Sequence, residues 1–159
     1  MGARAIFRRV GSGGPRVLSQ LFLAALLVLT AVRCEAQSQP TEDEMLAEAE
    51  SAIGAKRAKL YLRLSERSLS VAKTEYDNGD SEQGQAALNK FRGYAREAFR
   101  TAEHTGKYLK QTEIGLRNFG RKLEGLKRSV AFEDQKPIAE TELEIQQMRD
   151  GLMRKMWQK

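Results

Sequence analysis

One histidine, one cysteine and scattered carboxylates are what this sequence offers to chemistry. His104 directly follows Glu103. Adjacent residues do not share a helix face, so the two do not form a carboxylate–imidazole pair. A metal ion would want further ligands at helical spacing, and a lone histidine is more often a surface residue than a ligand. Glu140, Glu142 and Glu144 lie close in sequence, but a spacing of two splays them around a helix. There is no phosphate-cradling glycine loop, nucleophile elbow or paired metal-binding motif. Met148, Met153 and Met156 are expected to fill core gaps rather than to bind copper. The expectation is a non-catalytic protein with no cofactor and no metal.

The cysteine belongs to a leader. Arg4, Arg8, Arg9 and Arg16 precede an apolar run from Leu21 to Val32, and Cys34-Glu35-Ala36 places small residues before Gln37. A basic segment, a short apolar run and an A-x-A-like site describe a secretory signal peptide, here residues 1–36 with cleavage after Ala36. The run falls short of the roughly 20 apolar residues of a spanning helix. The alternative is an uncleaved membrane anchor over residues 17–32. Five of the 27 basic residues and one of the 21 acids lie in the leader, so the remainder carries 22 against 20, net +2 rather than +6. The basic character is therefore no argument for nucleic acid as a partner. The remaining chain has no thiol, which excludes disulfides and cysteine-based metal sites. The expected location is periplasmic or secreted.

The elements that follow are helical. Residues 37–41 read as a disordered polar lead-in to a single helical domain over residues 42–159. Thr41 and Glu44 form a capping-box pattern, opening a helix of about residues 42–77. Asn78-Gly79 ends it, and Asp80 or Ser81 caps the next. From Leu88 through Phe91, Ala95, Ala98, Ala102, Thr105, Leu109, Thr112, Leu116, Phe119, Leu123 and Leu126 to Val130, the steps alternate between three and four. That is a heptad seam of about six repeats. It predicts one helix over 81–130, roughly 75 Å long if unbroken. His104-Thr105-Gly106 offers the alternative of a break near Gly106 and four helices. A loop with Pro137 at its end then leads to a last helix over about 137–157. The fold class is all-α: an antiparallel three-helix bundle, or long helical hairpin with a shorter C-terminal helix.

Three stretches resemble uncharacterised exported bacterial proteins with helical-hairpin domains of unknown function. They are KLYLRLSER at 59–67, Asp77-Asn78-Gly79-Asp80, and LKQTEIGLR at 109–117. The resemblance implies an extracytoplasmic all-helical domain and carries no catalytic residues over.

Two surfaces follow from the expected layout. Near the turn at 77–81 only two helices would meet, yet Leu69, Val71, Tyr76, Leu88, Phe91, Tyr94 and Phe99 gather there. Two helices bury apolar side chains incompletely, and a large exposed apolar patch marks a binding surface. Leu69, Tyr76, Phe91, Tyr94 and Phe99 are therefore the candidate contacts for another protein or for a second copy. On the back of the seam lie Arg96, Arg100, Lys107, Lys110, Arg117 and Arg121, a candidate contact for anionic membrane or cell-wall polymer. Charges opposite a core are equally what any solvated helix shows. The expected function is an exported, non-enzymatic scaffold or adaptor. The alternatives are a chaperone-like binder of unfolded envelope proteins and a peripheral binder of anionic surfaces.

Overall fold

Thr41 opens the first helix as its pattern suggests. Its hydroxyl accepts from the Glu44 backbone N–H at 3.2 Å, and the Glu44 carboxylate accepts from the Thr41 N–H at 2.9 Å. The computed structural model describes residues 40–158. The signal peptide (1–36), its membrane-anchor alternative (17–32) and residues 37–39 of the lead-in lie outside the described residues. Pro40 and Thr41 do not belong to a disordered lead-in. Thr41 caps a helix, and the Pro40 carbonyl accepts from Arg67 Nη1 at 2.8 Å.

All regular structure among the described residues is helical: α1 (Glu42–Ser51), α2 (Gly54–Asp77), α3 (Ser81–Thr105), α4 (Leu109–Ser129) and α5 (Phe132–Trp157). The described residues are all-α, but with five helices in place of three. The helix expected over 42–77 is cut at Ala52 and Ile53, both extended, and Gly54 follows with φ +59°. Glycine adopts that left-handed conformation at no steric cost. α1 thereby folds back along α2, which is how Pro40 reaches Arg67. Met45, Ala49 and Ala52 pack on Leu60, Tyr61 and Leu64, with Ala98 of α3 beneath.

The helix expected over 81–130 is cut at Gly106, the alternative named above. Gly106 stands at φ +66° with its N–H on the Ala102 carbonyl, a left-handed helix cap. Tyr108, at φ +66°, completes the reversal. The last helix begins five residues earlier than expected, at Phe132. Pro137 lies inside it, where its missing N–H leaves one near-terminal carbonyl unmatched. Asp134 does not cap this helix; its carboxylate accepts from Ser81 Oγ at 2.6 Å.

The result is two antiparallel hairpins laid against each other. In the first, α2 pairs with α3 through Tyr61 and Tyr94, ring centroids 6.3 Å apart. In the second, α4 pairs with α5 through Lys127 and Glu142. Between hairpins α3 runs parallel to α5. Ser81 meets Asp134 near one end, Arg92 and Arg96 meet Glu144 midway, and the Lys155 ammonium donates to the Glu103 carbonyl near the other. α2 likewise runs along α4, with Glu66 on Lys122 at 2.8 Å. Leu64, Leu88, Phe91, Leu116, Leu123, Ile138, Ile145 and Leu152 fill the interior. Each contributes about 1.5–3 kcal/mol by leaving water.

Candidate interaction surfaces

Most of the apolar patch expected beside the 77–81 turn is core, although Val71 remains exposed. Leu69, Tyr76, Leu88 and Phe91 are buried, Phe91 at 0 % exposure. Phe91 meets Phe119 of α4 edge to face, centroids 5.3 Å apart. Phe99 is half-buried and packs towards Gly151 of α5. Tyr94 is half-buried, and its hydroxyl donates to Glu42 Oε1 at 2.9 Å. Burial first, then that bond and the neighbouring acids, push the Tyr94 phenol up to about 12. Burial, then the Asp134 charge, also raises Tyr76. The physical reason is the turn at Gly106. It sends α4 back along the bundle and lets α5 run beside α3 from its first turn, so four helices meet where two were expected.

The basic stripe does not survive as one surface either, because α4 reverses direction. Arg96 turns towards α5, where Arg92 Nε and Arg96 Nε each donate at 3.0 Å to the two oxygens of Glu144. Burial alone would raise the Glu144 carboxyl, but the bonds and charges of Arg96 and Arg92 outweigh it and hold it below the usual carboxylate range. Arg100 pairs with Glu97 at 3.3 Å, Arg117 lies 3.9 Å from Glu113, and Arg121 donates to Asn118. Lys107 and Lys110 are exposed and have no ion-pair partner among the described residues.

His104 is exposed, in a shallow depression with Ile53, Arg57 and Arg100. The three glutamates go separate ways: Glu140 to solvent, Glu142 to Lys127, Glu144 to the two arginines. Among the described residues no group of three or more His, Cys, Asp or Glu side chains could hold a metal ion. Met148 is buried and Met156 packs against the core. Between α2 and α4 runs an apolar cleft of about 270 Å³ lined by Leu69, Gly125 and Leu126, with Lys73 and Lys122 at its rim. Asp77 and Glu66 answer those two lysines.

The surfaces that sequence reasoning missed are the ends of the bundle. Ile53 is 86 % exposed, Trp157 81 % and Phe132 83 %. Ile53 sits in the α1–α2 turn, against the last turn of α3 and near the α3–α4 turn, where Gly54 faces the Lys107 side chain. Trp157 closes α5 beside that same end, just past Lys155 on the Glu103 carbonyl. Phe132 opens α5 at the opposite end, near Ser81 and Asp134. The end segments differ in charge. Residues 50–57, 102–110 and 152–158 hold six bases (Lys56, Arg57, Lys107, Lys110, Arg154, Lys155) and two acids (Glu50, Glu103). Residues 75–82 and 129–136 hold six acids (Glu75, Asp77, Asp80, Glu82, Glu133, Asp134) and one base (Lys136). The signal was present in the sequence, but it becomes one only when the turns are placed together.

No family model, curated protein or solved structure matches this chain. Among the described residues no helix is long and apolar enough to cross a membrane.

Proposed function

We propose that the chain is an exported, non-catalytic helical interaction domain that engages a partner through the ends of its bundle. The observation that carries this reading is the placement of Ile53, Phe132 and Trp157, each more than four-fifths exposed, at the two ends, while the large apolar side chains exposed on the flanks, Val71 and Leu143, are covered to a greater extent. Large apolar side chains left in water beside charged groups suit a small contact surface with a polar rim. A scaffold or adaptor needs no more than such surfaces on a packed helical bundle. The chaperone-like alternative rested on an apolar patch beside residues 77–81, of which Leu69, Tyr76, Leu88 and Phe91 are buried while Val71 is exposed.

The test is in-cell crosslinking from a photo-reactive residue placed at position 53, 132 or 157, with position 99 as the flank control. Adducts from the end positions and none from position 99 are expected. Adducts from position 99 alone, or from no position, would refute this reading.

A second reading, peripheral binding to an anionic surface, is favoured by one observation. Lys107, Lys110 and Arg154 have no ion pair among the described residues and share an end with Ile53 and Trp157. Tryptophan and lysine together suit a lipid headgroup layer. Sedimentation with anionic vesicles at low salt, abolished by high salt, would support it. Absence of uptake at low salt would remove it.

A further inference from the structure

We infer that the partner is a second copy of this chain, docked head to tail, with the Trp157 end of one copy on the Phe132 end of the next. The inference rests on the reading of the bundle ends as contact surfaces and adds the identity of what covers them.

The two ends are complementary. One end carries a net charge of +4 in its turn segments and the other −5, counting residues 50–57, 102–110 and 152–158 against 75–82 and 129–136, and +2 against −4 once Glu48, Glu97 and Lys73, which pair with Lys56, Arg57 and Asp77, are included. Like ends repel, so a two-fold contact of an end with itself is disfavoured, while opposite ends attract. Each end also presents exposed apolar side chains to give the contact a dry centre: Ile53 and Trp157 on the basic side, Phe132 on the acidic side. Charges at the rim and apolar groups within are the anatomy of a specific interface.

The helix dipoles do not set this difference in charge, because among α2–α5 each end holds two helix starts and two helix ends: α3 and α5 begin where α2 and α4 finish.

Such a contact is small. With a helix about 10 Å across, an end of four or five helices offers roughly 400–500 Å², below the roughly 800 Å² per partner of a standard interface. Association is therefore weak, reaching appreciable levels only at high concentration, and it is salt-sensitive. A head-to-tail contact does not close on itself, so it builds dimers and then longer rods.

The experiment is sedimentation velocity on the full chain, as the expressing cell processes it, over a range of concentrations at low and high salt. Phe132→Lys and Trp157→Glu each put a charge that repels its docking partner at a position already in solvent, and circular dichroism checks that both variants are folded. The wild type should form dimers and larger species that high salt dissolves. Either variant alone should stay monomeric, yet an equimolar mixture should form dimers and nothing larger, because each supplies the end that the other lacks. Dimers from one variant alone would show a two-fold contact and overturn the inference. So would a mixture that stays monomeric, or a wild type that remains monomeric throughout. Crosslinks from position 157 to a different protein would overturn it while leaving the proposed function standing; absence of any crosslink from the ends would sink both.

Discussion

Phe91 of α3 and Phe119 of α4 touch edge to face, their ring planes at 87°. They stand four heptads apart in the seam. An unbroken helix would separate them by roughly 42 Å, at 1.5 Å rise per residue. The three residues Gly106-Lys107-Tyr108 close that distance by folding the seam onto itself. An apolar stripe thus becomes the inside of a bundle.

Phe91→Ala removes a ring with no solvent exposure and leaves a cavity at the centre of the core. A loss of about 3–5 kcal/mol is expected. It would appear as a lower urea midpoint with an unchanged slope. A loss under about 1 kcal/mol would place Phe91 on the surface, as the sequence first suggested.

Glycines in the helices divide into two kinds. A Cβ on Gly84 would lie 2.9 Å from the Tyr76 ring, a rigid group packed between α2 and α3. Gly84→Ala should therefore destabilise by about 1–3 kcal/mol through overpacking, in spite of alanine's higher helix propensity. A Cβ on Gly93 or Gly120 meets nothing within 4 Å. Gly93→Ala and Gly120→Ala should each stabilise by about 0.5–1 kcal/mol. Thermal melts of the three variants check the order; equal shifts would contradict the packing of Tyr76 on α3.

These residues also show what the sequence could and could not say. Thr41 with Glu44, and Asn78-Gly79, announced their helix ends because local hydrogen bonding and glycine's free φ decide them. The break at Gly106 stood only as an alternative to a continuous helix because α3 and α4 turn the same stripe towards one core. A seam cannot distinguish one long helix with a partner from two antiparallel helices facing each other. Ile53 lies within the helix expected over 42–77, yet it stands in water at a turn, and only Gly54 behind it hinted at one. Pro137 marked a helix near its start but not the five residues before it. The candidate contacts followed the fold in error. Once four helices meet near residues 77–81, Leu69, Tyr76 and Phe91 have nowhere to be but inside.

Glu144 ties α5 to α3 through Arg92 and Arg96, and its folded-state carboxyl is lowered. A depressed carboxylate contributes stability that is fully present above its unfolded value, about 4.3 for glutamate. That stability is lost as pH falls through the folded value. The wild type should therefore weaken on acidification below the ordinary glutamate range. Glu144→Gln should be less stable at neutral pH and show a flatter acid limb. Parallel pH profiles for wild type and variant would mean that Glu144 stays unpaired in solution.

The central claim is that the Trp157 end is an open surface that another copy covers. Trp157 is the only tryptophan of the chain, so its fluorescence reports that end alone. In dilute solution its emission should be that of a water-exposed indole, freely quenched by acrylamide. As concentration rises at low salt, the emission should shift to the blue and resist quenching, and high salt should reverse both changes. Emission already protected in the dilute monomer, or freely quenched at every concentration, would contradict the claim.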